Sequence, residues 1–173
     1  DDYRFTYQEI AAYAKRIANI VQDHGVRPGD KVAMMISNTP HFPAVYFGIL
    51  LAGGVVVPIN CHLKSHEICY HLEDSEAKVF FTWVGFLDES VKAMKEASTC
   101  QHLLVISYPD DFEKPEQGES FNRLLRDASP EFDMVETMPD DTAVTVSYTH
   151  LRAHETPEHL VCRLLLEKKK QNN

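Results

Sequence analysis

Five residues within positions 61–71 carry side chains that metals prefer: Cys61, His62, His66, Cys69 and His71. Thiolate and imidazole are the common ligands of zinc, but the spacing here does not form two ligand doublets. His62 precedes a predicted helix, His66 and Cys69 stand one turn apart, and His71 points elsewhere, so four ligands would converge only by distorting the segment. These side chains are read as solvated or partly buried. Ser37 stands at a strand-to-helix turn, where a nucleophile would be placed, yet it lacks flanking glycines. Asn38 and Thr39 are read as a turn residue and a helix N-cap. The same turn, Ser37-Asn38-Thr39-Pro40, has neither the glycines of a dinucleotide fold nor the Lys and Ser/Thr of a P-loop. Gly53-Gly54 follows a helix instead of opening one, so its amides cannot form a helix N-terminal anion site, and it is read as a tight structural turn. Glu73, Asp74, Glu76, Asp110 and Asp111 sit on a helix end and on loops, as solvated acids and not as acid/base pairs. No catalytic, cofactor-binding or metal-ligating residue is assigned on these grounds.

The chain that positions these residues has 173 residues, 44% of them hydrophobic and 25% charged, with seven Gly and nine Pro. That composition excludes disorder, collagen and a disulfide scaffold. No apolar run approaches the length that crosses a bilayer. With Lys and Arg at 17 against Asp and Glu at 26, the net charge of −9 disfavours nucleic-acid and anionic-lipid partners. Four cysteines at irregular spacing, Cys61, Cys69, Cys100 and Cys162, suit free thiols, and no hydrophobic leader follows Asp1, so the expected compartment is the cytoplasm.

Short β-branched runs alternate with amphipathic stretches. Thr6-Tyr7-Gln8-Glu9 is a capping box that opens a helix carrying Ile10, Tyr13, Ala14, Ile17, Ile20 and Val21 at helical spacing, and Gly25 ends it. Residues 31–36 read as a strand buried on both faces. Thr39 and Pro40 start a second helix that runs to Leu51, apolar all around and expected to be deeply buried. A strand over 55–59 places Pro58 at its end or on a sheet edge. Ser65 is expected to cap a helix through Leu72. There follow a strand over 77–82, a helix over 88–97, a strand over 102–107, a loop over 108–118 and a helix over 119–126 with Phe121, Leu124 and Leu125 inward. Thr142-Ala143-Val144 begins one more strand. The alternation predicts an α/β fold: a mainly parallel open sheet with helices on both faces, whose ligands belong beyond the carboxyl ends of the strands.

From Val146 the rhythm is lost. Arg152, Arg163, Lys168, Lys169 and Lys170 outnumber Glu155, Glu158 and Glu167, so residues 146–173 form a basic tail on an acidic body. Back-translated, residues 146–156 resemble one frame of a transposase adapter used in sequencing libraries. Residues 159–166 resemble read-through of the matching primer, and 167–173 resemble an A-rich run. The expected division is a body over 1–145 and an artefactual tail over 146–173, excluded from fold reasoning as a fusion scar is. Read as a natural segment, the tail would be a helix capped by Thr156 with Pro157 first and Leu160, Val161, Leu164 and Leu165 on one stripe.

Several linked phrases carry a family resemblance. Arg4-Phe5-Thr6-Tyr7-Gln8-Glu9-Ile10, Gly25-Val26-Arg27-Pro28-Gly29-Asp30-Lys31-Val32 with Asn38, Leu51-Ala52-Gly53-Gly54-Val55-Val56-Val57-Pro58-Ile59-Asn60, and Glu67-Ile68-Cys69-Tyr70-His71-Leu72-Glu73-Asp74-Ser75-Glu76-Ala77-Lys78 together resemble the N-terminal region of the adenylate-forming (AMP-binding) superfamily. The last phrase is most similar to long-chain fatty acyl-CoA synthetases. The resemblance covers residues 1 to about 144. It implies an acid–thiol ligase that activates a carboxylic acid, a fatty acid by the closest phrase, with Mg-ATP to an acyl-adenylate and passes the acyl group to coenzyme A. The expected localisation of such a parent is cytoplasmic, with peripheral membrane association left open.

The family's phosphate loop with its Lys would follow Asp140-Asp141-Thr142-Ala143-Val144. Here Tyr148-Thr149 is followed by His150-Leu151-Arg152, with no Gly and no Lys. No catalytic or ligand-binding residue of the family is therefore carried over, and the chain is expected to be an inactive N-terminal fragment that holds no ATP, Mg or coenzyme A. Cut there, it would leave Phe47, Ile49 and Leu50 as uncovered apolar surface. The alternative is a small non-catalytic α/β protein that binds a ligand or partner, with the tail as its interaction helix. A nucleotide-binding oxidoreductase fails for want of a Gly-rich turn after a strand.

Overall fold

The structure, a computed structural model, describes residues 5–108 and 111–146. The expectations for the tail helix, for Cys162 and for Asp110 lie outside the described residues.

Among the described residues five α-helices and five strands follow one another, alternating up to β4: α1 (Tyr7–Asp23), β1 (Lys31–Met35), α2 (His41–Leu51), β2 (Val55–Pro58), α3 (Ser65–Ser75), β3 (Val79–Trp83), α4 (Leu87–Glu96), β4 (His102–Ile106), β5 (Glu119–Ser120) and α5 (Phe121–Asp127). The strands form one sheet in the order β2-β1-β3-β4-β5, with every pair parallel. Parallel strands are joined only by crossovers, which cover both faces of the sheet. On one face Val32, Met34, Val56, Val79, Phe81, Leu104 and Ile106 pack under α1, α2 and α5. On the other, Ala33, Met35, Val57, Phe80, Leu103 and Val105 pack under α3 and α4. Each fully buried Val, Leu, Ile, Met or Phe among them contributes roughly 1.5–3 kcal/mol. Beyond β2, the Val56 N–H donates to the Ala143 carbonyl (3.0 Å) and the Thr145 N–H to the Val56 carbonyl (2.9 Å), the expected start of a further strand.

Local signals set most boundaries. Thr6 and Glu9 make the reciprocal capping box. Pro58 is the last residue of β2, opposite Met34. Helices α1, α2 and α3 return to the sheet through one device: the N–H two past the last turn reaches back to Val21, Ile49 and Leu72, and the preceding N–H to Gln22, Leu50 and Glu73. The left-handed residue is Gly25 (φ 78°), Gly53 (φ 74°) and, against the glycine preference, Glu76 (φ 55°).

Four expectations need correction. Pro40, at φ −57° and ψ −21°, occupies the N-cap of α2 already in helical conformation, so Thr39 is displaced and offers only its carbonyl to Phe42 N–H. Ser65 is the first residue of α3 and not its cap; its N–H donates to Glu89, while Glu67 accepts the Lys64 N–H, and the helix runs on to Ser75. Glu119 and Ser120 are strand, paired with Leu104 and Val105, so the last helix begins at Phe121. Finally, α2 is not buried all round: Ile49 is fully buried, Leu50 partly, and Phe47 stays 53% exposed. Its tight side faces α1, where a Cβ on Gly48 would lie 2.6 Å from Ile17 Cβ.

A side chain in the left-handed region is strained where glycine is not. Replacing Glu76 by Gly is expected to stabilise the fold by about 1 kcal/mol, read as a higher urea midpoint at unchanged slope. A lower midpoint would mean that the Glu76 backbone is not strained.

Candidate functional site

The strand order reverses between β1 and β3, and in open parallel sheets the crevice above such a switch point is where ligands bind. Two loops frame it here, Ser37 to Pro40 after β1 and the turn after Trp83 at the end of β3. His41, first residue of α2, sits 6.2 Å ring to ring from both Trp83 and Phe121, and Trp83 meets Tyr108 edge-on at 5.4 Å. Beside His41 opens a cavity of about 350 Å³ walled by Tyr13, Arg16, Phe112, Phe121 and Arg126. Phe121 is held by Phe81 from below (5.9 Å, edge-on).

The polar groups at this end are of two kinds. Asn122 is buried with its amide nitrogen fully engaged: Nδ2 donates to Ser107 Oγ (3.1 Å) and to the carbonyls of Tyr108 and Asp111 (2.7 Å each), pinning the loop after β4. Thr39 Oγ1, His41 Nδ1 and Ser120 Oγ are buried without a hydrogen-bond partner among the described residues. Burial pushes the His41 pKa down, because the charged imidazolium loses its hydration. A neutral imidazole with an unpartnered nitrogen in an aromatic slot can hydrogen-bond one polar atom of an otherwise apolar ligand. It has no paired nucleophile, since Ser37 Oγ makes no hydrogen bond to a base among the described residues.

The residues that carried chemical promise in the sequence are placed as follows. Cys61, His62, His66, Cys69 and His71 do not converge as a ligand set among the described residues. Cys61 and Cys69 are free thiols whose pKa is raised by burial, for Cys69 with the charges of Glu96 and Glu73 added. Cys100 is pushed up to about 12 by burial. Such thiols are neither thiolate nucleophiles nor ready ligands. Gly53 and Gly54 form the turn already described. Glu73 is more than a solvated acid: it accepts the N–H groups of Ser98 and Thr99, bonds that hold its carboxyl below the usual range. Asp74 faces Tyr70 Oη at 3.5 Å, Asp111 accepts the Glu113 N–H, and Glu76 occupies its turn. None of these acids pairs with another. Sequence reasoning missed His41 and Asn122; for His41 the signal available was a polar residue opening the apolar run Phe42-Pro43-Ala44-Val45, and Asn122, between Phe121 and Arg123, carried none.

The sequence and the fold both have known counterparts. The family model for AMP-binding enzymes matches residues 1–150. The chain belongs to the AMP-binding enzyme family. It is 34% identical over 107 residues to a long-chain-fatty-acid–CoA ligase of Bacillus subtilis (strain 168), which covers 62% of this chain and 19% of that protein. To a crotonobetaine/carnitine–CoA ligase of Escherichia coli it is 34% identical over 104 residues, covering 60% and 20%. Among solved structures, a fatty acyl CoA synthetase of Mycobacterium tuberculosis superposes with a TM-score of 0.68 at 28% identity, over 84% of this chain and 27% of that one. The chain thus spans about a fifth of the length of the curated relatives it matches. Among the described residues no helix is long and apolar enough to cross a membrane.

The lowered His41 pKa has a consequence for stability. The unfolded chain takes up a proton near pH 6.5 that folded His41 refuses, so stability is full above that pH and falls as the pH drops toward the folded pKa. His41→Phe is expected to remove part of this acid loss, measured as urea midpoints between pH 7.5 and 5. Superimposable pH profiles for the two proteins would contradict the burial of His41.

Proposed function

We propose that the chain is the N-terminal part of an acid–thiol ligase that forms an acyl-adenylate from a carboxylic acid and ATP and transfers the acyl group to coenzyme A. The observation that carries this reading is the family match over residues 1–150, with relatives whose names specify CoA ligation of organic acids. A fatty acid is the substrate class we favour. The Bacillus relative supports it, as does the aromatic slot beside His41, which suits an apolar chain better than a charged one.

The described residues do not fit the nucleotide. The loop after β1 has no glycine and no lysine, and the two arginines by the cavity are occupied. Arg16 donates to the carbonyls of Leu125 and Ala128, and Arg126 pairs with Asp127. Nor do the described residues bring together acids that would hold Mg²⁺ beside the crevice. We infer that the 173 residues alone do not adenylate, and that residues 146–173 derive from adapter sequence.

The reading is tested by ATP–pyrophosphate exchange with a panel of fatty acids, run on the chain and on the complete product of the source gene sequenced across the codon for Thr145. Exchange is expected only from the complete product, with a Gly-rich, Lys-containing stretch following that codon. Exchange by the 173-residue chain would sink the inactive reading, and none from the complete product would sink the ligase.

A further inference from the structure

At the opposite, amino-terminal end of the sheet, three side chains far apart in sequence converge. His24 closes α1, His102 opens β4 and Glu119 opens β5. Glu119 Oε1 lies 3.2 Å from His24 Nε2 and 3.7 Å from His102 Nδ1, and the two imidazole rings meet edge-on at 4.8 Å. All three donor atoms fall within 4.8 Å of one another, the one such group among the described residues.

The hydrogen bonding of His24 fixes its tautomer. Its Nδ1 lies 2.7 Å from the Ile20 carbonyl, which can only accept, so Nδ1 carries the hydrogen. Neutral His24 therefore aims the Nε2 lone pair at a carboxylate oxygen that is itself a lone-pair donor. That contact is repulsive unless a proton or a metal ion sits between them. A backbone carbonyl holding one ring nitrogen so that the other can ligate is the usual second layer of a metal site.

We propose that His24 Nε2, His102 Nδ1 and Glu119 form a divalent-cation site of the zinc class. Two imidazoles and one carboxylate match the ligand chemistry of zinc, not of magnesium or calcium. With bonds of about 2.0–2.2 Å, ligands of a tetrahedral ion lie about 3.3–3.5 Å apart, close to the separations around Glu119. The side chain of His24 is 11% exposed and pinned, whereas those of His102 and Glu119, at 36% and 47%, are free to rotate inward. The fourth position faces solvent and takes water. Lying at the end of the sheet away from the crevice, the ion would be structural, clamping the two-residue β5 to β4 and to the end of α1. The site stands on its own geometry and is independent of the ligase reading.

The test is equilibrium dialysis of the whole 173-residue chain against Zn²⁺, compared with Glu119→Gln and His102→Gln, two substitutions at partly exposed positions. Cys162 and the histidines beyond residue 146 offer further zinc ligands, so the difference between proteins is what counts. Each variant is expected to lose one zinc per chain, or to bind it at least tenfold more weakly, at unchanged far-ultraviolet circular dichroism. The Co²⁺ spectrum lost with it should lack thiolate charge transfer. In the unsubstituted chain, zinc should shift the ring resonances of His24 and His102. Unchanged stoichiometry and affinity in both variants, a lost band of thiolate character, or unperturbed His24 and His102 rings would each overturn the site.

Discussion

Two-sided burial of β1 and β3 is the constraint from which the remaining architecture follows. Val32 to Met35 and Val79 to Phe81 are all buried, and alternate residues enter two separate cores. A strand hydrogen-bonded on both edges and apolar on both faces has nowhere to meet water, so each face must be roofed by helices and each connection must cross over. The crossover fixes the rest. Each helix has to turn back within two residues to reach the amino end of its strand, which is why the same left-handed turn recurs after α1, α2 and α3, once at the expense of a glutamate.

The elements that this constraint dictates were legible because they are written locally. The capping box of Thr6 and Glu9, the stop at Gly25, the turn at Gly53 and the strand-ending Pro58 each depend on a few neighbouring residues and on backbone sterics, and the structure has all four. What escaped was set by partners distant in sequence. Glu119 and Ser120 have no strand signature of their own; β4 imposes it by offering Leu104 and Val105. Ser65 looks like a cap, but Glu89 on α4 takes its N–H. The exposure of Phe47 is equally non-local, since an all-apolar helix does not reveal how many of its flanks find a neighbour.

The site was less legible than the fold for the same reason. His41 and Asn122 are unremarkable in the sequence and gain meaning only when the switch point brings α2, β3 and α5 together. His24 and Glu119 are 95 positions apart. Conversely, the conspicuous run of cysteines and histidines over 61–71 dissolved, because proximity along a helix and the loop before it is not convergence.

The two ends of the sheet differ in how their polar groups are met, and that difference argues for where a ligand belongs. At the amino end the chain binds itself. Burial pushes the Asp30 carboxyl up, but the Lys78 ammonium and the Arg27 N–H, each 2.7 Å away, outweigh it and hold the group below its usual range. Glu73 closes the turn before β4; Glu119, facing two histidines, is the exception that the proposed cation would meet. At the carboxyl end the buried atoms of Thr39, His41 and Ser120 have no protein partner among the described residues. A buried polar atom left unmatched costs about 1–3 kcal/mol, so a fold keeps one only where something else satisfies it. That something is ordered water, a ligand or a further stretch of polypeptide, and a ligand is directed to the carboxyl ends of the strands, the end at which a parallel sheet of this order opens its crevice.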